Sequence, residues 1–157
     1  MAEKMPSGFV VRDVDIDDVD TLVDFTMQEA REAEGRELNE DTVRRGVLAA
    51  FGERPASRYW VAEGPGGAIV AIISTTNEWS DFRAGEYWWV QSLFIRPEYR
   101  RSGLLELLLD HLADEARRRG ALELRLYVHQ GNERAVRAYR RSGFHAVPYT
   151  IMARTLD

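Results

Sequence analysis

The sequence predicts an α/β domain: a mixed sheet of about seven strands flanked by about four helices. Two observations carry this. Short β-rich runs alternate with amphipathic stretches of helical period along the chain. The Gly-rich turn Gly64-Pro65-Gly66-Gly67 joins two β-rich runs as an antiparallel hairpin, whereas helices separate other strands, so the sheet is mixed.

Each element has a local cause. Phe9 to Arg12 is short and β-prone and reads as the first strand. Asp17 or Asp18 can cap the helix that follows, where acidic residues suit the dipole. Val19, Leu22, Val23, Thr26, Met27 and Ala30 then recur at helical spacing, and Gly35 supplies a stop. Asn39 or Asp41 opens a second helix through Val43, Val47, Leu48 and Phe51, and Pro55 marks its exit. Tyr59 to Glu63 and Ala68 to Ser74 are the hairpin strands, residues 77–85 read as a polar loop, and Glu86 to Ile95 is a long strand ended by Pro97. Gly103 to Arg119 is the clearest helix, with Leu105, Leu108, Leu109, Leu112 and Ala116 on one face and three arginines in its last turn. Leu122 to Val128 alternates as a strand, and Asn132 caps a short helix ending at Gly143. Phe144 to Val147 and Tyr149 to Ala153 complete the seven strands on either side of Pro148.

The 157 residues suit a single domain, 1–157. The absence of cysteine excludes disulfides, thiolate nucleophiles and cysteine-based metal sites. No run approaches the roughly 18 apolar residues of a membrane span, and the N-terminal residues lack the apolar core of a signal peptide, so a cytoplasmic protein without membrane association is expected. The net charge of −5 argues against a general nucleic-acid partner. That average conceals a segregation, −9 over residues 1–41 and +4 over residues 96–141. It is consistent either with solvated helix faces or with an acidic acceptor side and a basic anion side. His111, His129 and His145 have no metal-ligand spacing, and no metal is expected.

The informative stretch is Trp89 to Gly103. A strand breaks at Pro97, and an arginine-rich loop feeds directly into a helix N-terminus at Gly103. Unpaired N–H groups, the positive dipole end and Arg100 and Arg101 together form an anion site, set against the alternative of a crossover with surface arginines. The string Arg96-Pro97-Glu98-Tyr99-Arg100-Arg101-Ser102-Gly103, the later Asn132, Ala135, Tyr139 and Gly143-Phe144, and the order of elements resemble the GNAT superfamily of acetyl-CoA-dependent N-acetyltransferases. Arg100 and Gly103 match the first and fourth positions of its Q/R-x-x-G-x-G/A motif, and Leu105 departs from the usual glycine or alanine.

The resemblance implies acetyl-CoA as co-substrate and two central parallel strands that splay apart. Backbone groups of Leu93, Phe94 and Ile95 would bond the pantetheine arm. The amides of Arg101, Ser102, Gly103, Leu104 and Leu105 would hold the pyrophosphate. Asn132 would contact the pantetheine, and Tyr139 would lie near the sulfur as the acid that protonates the leaving thiolate. Members of this family are often homodimers. The acceptor would be a small-molecule amine, polyamine-like or otherwise, or a peptide amine. Glu29, Trp89 and Gln91 are the candidate acceptor-side residues, and an aromatic wall suits an ammonium. The position where spermidine/spermine-type relatives carry a basic carboxylate holds Gln91, which accepts no proton at neutral pH, so Glu29, Glu78 and Glu86 stay open as bases. The alternative is a CoA-binding sensor or scaffold of the same fold without turnover, favoured by Gln91 and Leu105.

Overall fold

The computed structural model describes residues 8–156. β1 (Val10–Asp13) leads through a single 3-10 turn into α1 (Val19–Glu34) and α2 (Glu40–Leu48). β2 (Arg58–Glu63), β3 (Ile69–Ser80) and β4 (Gly85–Ile95) follow as an antiparallel meander. A second 3-10 turn, α3 (Leu104–Arg118), β5 (Glu123–Leu126) and α4 (Glu133–Arg141) complete the order. The sheet runs β1-β2-β3-β4-β5, and only β4 and β5 are parallel. By its contacts the chain divides into a larger unit ending at Tyr127 and a smaller one beginning at Val128.

Two expectations need correction. Residues 77–80 continue β3 rather than forming a loop, because Asn77, Glu78, Trp79 and Ser80 pair with Trp88, Tyr87, Glu86 and Gly85. Their polar composition concealed a hairpin whose stability comes from cross-strand partners. Gly85 opens β4 where the Leu122 side chain stands 2.8 Å from the place of a Cβ, a close approach that favours glycine. The seven-strand sheet is the second correction. Among the described residues the sheet has five strands, and residues 144–153 join no ladder. Val147, Tyr149, Ile151 and Met152 are β-prone but exposed, and propensity alone forms no strand without a partner edge.

The core follows from strand alternation. Tyr59, Val61, Ile72 and Phe94 pack with Leu22, Val23 and Phe25 of α1 and Val47 of α2. The Phe25 and Phe94 rings lie 5.0 Å apart. Trp60, between Tyr59 and Val61, turns to the other face and stacks on Trp88 at 6.1 Å. α3 contacts β4 and β5 and buries Leu104, Leu108, Leu109 and Leu112.

The start of α1 is tied to the sheet by Arg12. Its guanidinium donates to both oxygens of Asp18, at 2.8 and 3.1 Å, and to Glu63 at 2.6 Å. Asp18 also accepts from the Asp15 N–H, and Asp15 in turn accepts from the Asp17 N–H. Neither Asp17 nor Asp18 supplies the expected side-chain cap of α1: Asp15 caps the preceding turn, and Asp18 at the start of α1 spends its carboxylate on Arg12 and the Asp15 N–H. Arg12 holds the Asp18 carboxyl below its usual range. Asp18→Ala should therefore destabilise the protein by about 2–3 kcal/mol in urea titrations at pH 7, the range for hydrogen bonds to charged groups. The wild-type advantage should be present above pH ~4 and vanish as pH falls through the lowered native pKa, because only the ionised carboxylate pairs with Arg12.

Candidate functional site

The site is built on an irregularity in β4. Ile73 pairs with Leu93 and Thr75 pairs with Val90, so Gln91 and Ser92 both stand opposite the single residue Ser74. This is a β-bulge. Ser74 Oγ accepts from the buried Ser92 N–H at 3.0 Å, supplying the bond that the ladder lost. The extra residue inverts the alternation of faces. Before the bulge Trp88 and Val90 are buried, with Trp88 against Trp60. After it Phe94 is buried against α1 on the opposite face.

A second consequence is that neighbours share a cavity. Gln91 and Ser92 both line a pocket of about 300 Å³, which strict alternation would forbid. Thr26 of α1, Val43 and Val47 of α2, Tyr59 of β2 and Thr76 of β3 complete much of its wall. The wall is rich in hydroxyls. Burial pushes the Tyr59 phenol above its usual range, with Ser92, Ser74 and Thr26 hydroxyls partly opposing this. Thr26 Oγ1 is buried without a hydrogen-bond partner among the described residues. The sequence offered one signal for it, a hydroxyl inside the apolar stripe of α1.

β4 also parts from β5 here. Their pairing runs from Tyr87 with Glu123 to Val90 with Leu126 and then ends, while β4 continues to Ile95. The pairing stops where β5 itself ends, so β4 from Gln91 to Ile95 has no strand beside it on that edge. Arg96 N–H bonds Val70 C=O toward β3, and alternation of hydrogen-bonded pairs turns Phe94 the same way. Leu93 and Ile95 therefore direct their backbone groups to the side that β5 has left. α1 reaches this edge with two carboxylates one turn apart. Glu29 Oε1 accepts from Leu93 N–H at 3.1 Å. Glu32 accepts from Arg100 at 2.7 Å, and Arg100 Nε donates to Ile95 C=O at 2.8 Å. Arg100 thus bridges the end of β4 to α1.

Beyond β4, Arg101 is exposed with a φ of 61°, and Gly103 precedes α3 with a φ of 81°, a conformation suited to glycine. No side chain caps α3. The first intrahelical bond runs from Leu107 N–H to Gly103 C=O, leaving the amides through Glu106 without intrahelical acceptors. Leu104 is buried and Leu105 half-buried. Ser102 Oγ donates to Tyr99 C=O at 2.5 Å, closing the loop on itself.

The remaining candidates sit elsewhere on β4 or in the smaller unit. Trp89 stacks on Tyr127 at 4.5 Å and donates to Glu78 at 2.6 Å, with Arg125 also near its ring. Glu86 accepts from Asn77 at 2.9 Å. Asn132 caps α4 by accepting from Ala135 N–H at 3.1 Å. Tyr139 lies in α4 with its ring edge-on to Phe144 at 5.9 Å. Among the described residues no group of three or more His, Asp or Glu side chains could hold a metal, and no helix is long and apolar enough to cross a membrane.

Glu29 is electrostatically unusual. Burial raises its carboxyl to about 7, against the pull of the Leu93 N–H and with a further push from Glu34. Five other acids of α1 and α2, or just beyond α1, are paired: Asp20 and Glu40 with Arg44, Glu32 with Arg100, Glu34 with Arg36, and Glu37 with Arg31.

Comparison with known proteins gives a consistent result. The profile of the Acetyltransferase (GNAT) family matches residues 19–144. Streptothricin acetyltransferase of Streptomyces lavendulae is 34% identical over 100 residues, 63% of this chain and 50% of that protein. The chain therefore spans about half the length of this relative. A possible acetyltransferase from Clostridium difficile 630 superposes with a TM-score of 0.87 at 31% identity, over 96% of this chain and 99% of its own. A predicted acetyltransferase of Clostridium acetobutylicum, solved with acetyl-CoA, shares the fold with a TM-score of 0.76 at 19% identity, over 93% and 96% of the two chains.

The raised Glu29 pKa has a signed consequence for stability. Between the ordinary value of 4.5 and about 7 the folded state binds more protons than the unfolded one, so this group lowers stability as pH rises across that window. Glu29→Gln keeps an acceptor for Leu93 N–H and removes the charge. Its Tm relative to wild type should be higher at pH 8 than at pH 5. An equal difference at both pH values would reject the shifted titration.

Proposed function

This chain belongs to the GNAT acetyltransferase family, and on that premise we propose that it moves the acetyl group of acetyl-CoA to the amine of a small molecule held in the hydroxyl-lined cavity. The observation that carries this reading is the parting of β4 from β5 beyond Val90, beside that cavity. With Leu93 N–H held by Glu29 and Ile95 C=O by Arg100, the Leu93 C=O and Ile95 N–H on the same edge are the groups that fit an extended pantetheine arm bound as an added strand. The uncapped N-terminus of α3, with amides from Arg101 to Leu105 around a left-handed Gly103, fits a pyrophosphate. Asn132 and Tyr139 are carried over from the family as contacts to the arm and the sulfur. The thioester supplies an activated acetyl group, and the chain's own residues supply binding, orientation and proton transfer.

The cavity narrows the acceptor. About 300 Å³ is at the lower end of small-molecule sites, roughly 300–1,000 Å³, and suits a compact amine better than a folded protein surface. Thr26, Ser57, Tyr59, Thr76, Gln91 and Ser92 offer hydroxyls and an amide, which suits an acceptor with polar groups of its own. A primary amine near pKa ~10.4 arrives protonated at neutral pH. The half-buried Glu29, without a cationic partner, is a charge complement on the strand edge just past the bulge. Streptothricin acetyltransferase is named for one such acceptor, and its likeness supports the small-molecule class.

Turnover of acetyl-CoA, read as free thiol, should appear with small polar amines and be weak with anionic ones. Stabilisation by acetyl-CoA with no turnover on any amine class would favour the non-catalytic CoA-binding reading instead. Gly103→Val places a β-branched residue at positive φ beside the proposed pyrophosphate. It should weaken acetyl-CoA about tenfold by calorimetry, close to 1.4 kcal/mol, and unchanged affinity would put the phosphates elsewhere. Tyr139→Phe should lower kcat by about 10²-fold with acetyl-CoA binding retained. Unaltered kcat would reject Tyr139 as the acid.

A further inference from the structure

We propose that Glu29 is the general base that takes the proton from the acceptor amine, an assignment that rests on the acetyl-transfer reading and gives that site its missing proton acceptor. The case is geometric. Oε1 of Glu29 lies 3.1 Å from Leu93 N–H, on the residue directly after the two that line the cavity. The carboxylate is held on the open edge of β4, three residues past the last β4–β5 pair at Val90, and one turn along α1 from Thr26, which lines the cavity. Its other oxygen, Oε2, has no partner among the described residues and is available to a ligand.

Competing groups are engaged or unsuited. Glu78 accepts from the Trp89 indole and lies 3.9 Å from Arg125. Glu86 accepts from Asn77. Both pair along the β3–β4 hairpin before the bulge. Gln91 lines the cavity, but its amide is not basic. Glu32 is committed to Arg100. The ionisable groups that interact with Glu29 are Glu34 from its own helix and Tyr59 from β2, and neither is a cation at neutral pH. β4 contributes the Leu93 amide. A half-buried carboxylate raised to about 7, without a guanidinium beside it, is poised to exchange protons at neutral pH.

The proton balance is complete. The bound ammonium gives one proton to Glu29 and becomes nucleophilic. Its nitrogen bonds the acetyl carbon as the carbon–sulfur bond breaks. A second proton leaves the nitrogen and ends on the thiol, and Glu29 returns its proton to solvent. Leu93 N–H holds Glu29 in place before this sequence.

The test is a pH profile of kcat/KM for wild type, Glu29→Gln and Glu29→Asp, with acetyl-CoA affinity measured alongside. With a base, wild-type kcat/KM should rise with unit slope to about pH 7 and then level off, because the protonated amine is used directly. Without one, Glu29→Gln must wait for free amine. Its rate at pH 7 should fall at least 10²-fold, and its profile should climb through pH 9 without levelling. Its acetyl-CoA affinity should stay within about twofold. Glu29→Asp should recover the plateau at a reduced rate. A Glu29→Gln profile matching wild type in height and shape would overturn the base while leaving acetyl transfer intact. Wild type that binds acetyl-CoA but acetylates no amine would overturn both.

Discussion

One inserted residue in β4 organises the site. A regular strand would send Gln91 and Ser92 to opposite faces. The bulge at Gln91–Ser92 bends and twists β4 directly after Val90, the residue paired with the last residue of β5, Leu126. The ladder bond it forfeits is replaced by the Ser74 hydroxyl, whose short side chain reaches the Ser92 amide without disturbing β3. A buried amide left without that partner would cost about 1–3 kcal/mol, so Ser74 is as much part of the site as the residues that face the cavity.

Around this irregularity the protein accepts local costs that a purely structural core would avoid. An open strand edge leaves backbone groups without ladder partners. Thr26 Oγ1 is buried without a hydrogen bond, and Glu29 is half-buried without a cation. Each is unfavourable in an apolar interior.

α1 is the second organiser. Its apolar stripe binds the sheet through Leu22, Val23 and Phe25, fixing where the next turns fall. Glu29 and Glu32, three residues apart, therefore reach the open edge together, one directly and one through Arg100. The acidic surplus of this region thus has a more specific meaning than a field. Most exposed members pair with arginines, and such pairs stabilise little. Glu29 has no such partner and bonds only the Leu93 amide.

The sequence by itself determined the α/β class, the order of the first nine elements, α1 ending at Glu34 before Gly35, the Asn132 cap and the helix that opens behind Gly103. All of these depend on local period, capping and turn chemistry. The structure chose Asn39 over Asp41 as the cap of α2. It also carried the resemblance to the acetyltransferase family, through Arg100, Gly103 and the Asn132–Tyr139 helix. The β3–β4 hairpin extension and the fate of residues 144–153 escaped it, because a ladder depends on a partner edge that composition does not encode. Only the tertiary structure distinguished Glu29 from Glu78 and Glu86. The three carboxylates are chemically alike as sequence. They differ only in what the bulge and α1 bring beside them: Trp89 and Arg125 for Glu78, Asn77 for Glu86, and for Glu29 a single backbone amide in a half-buried niche without a cation.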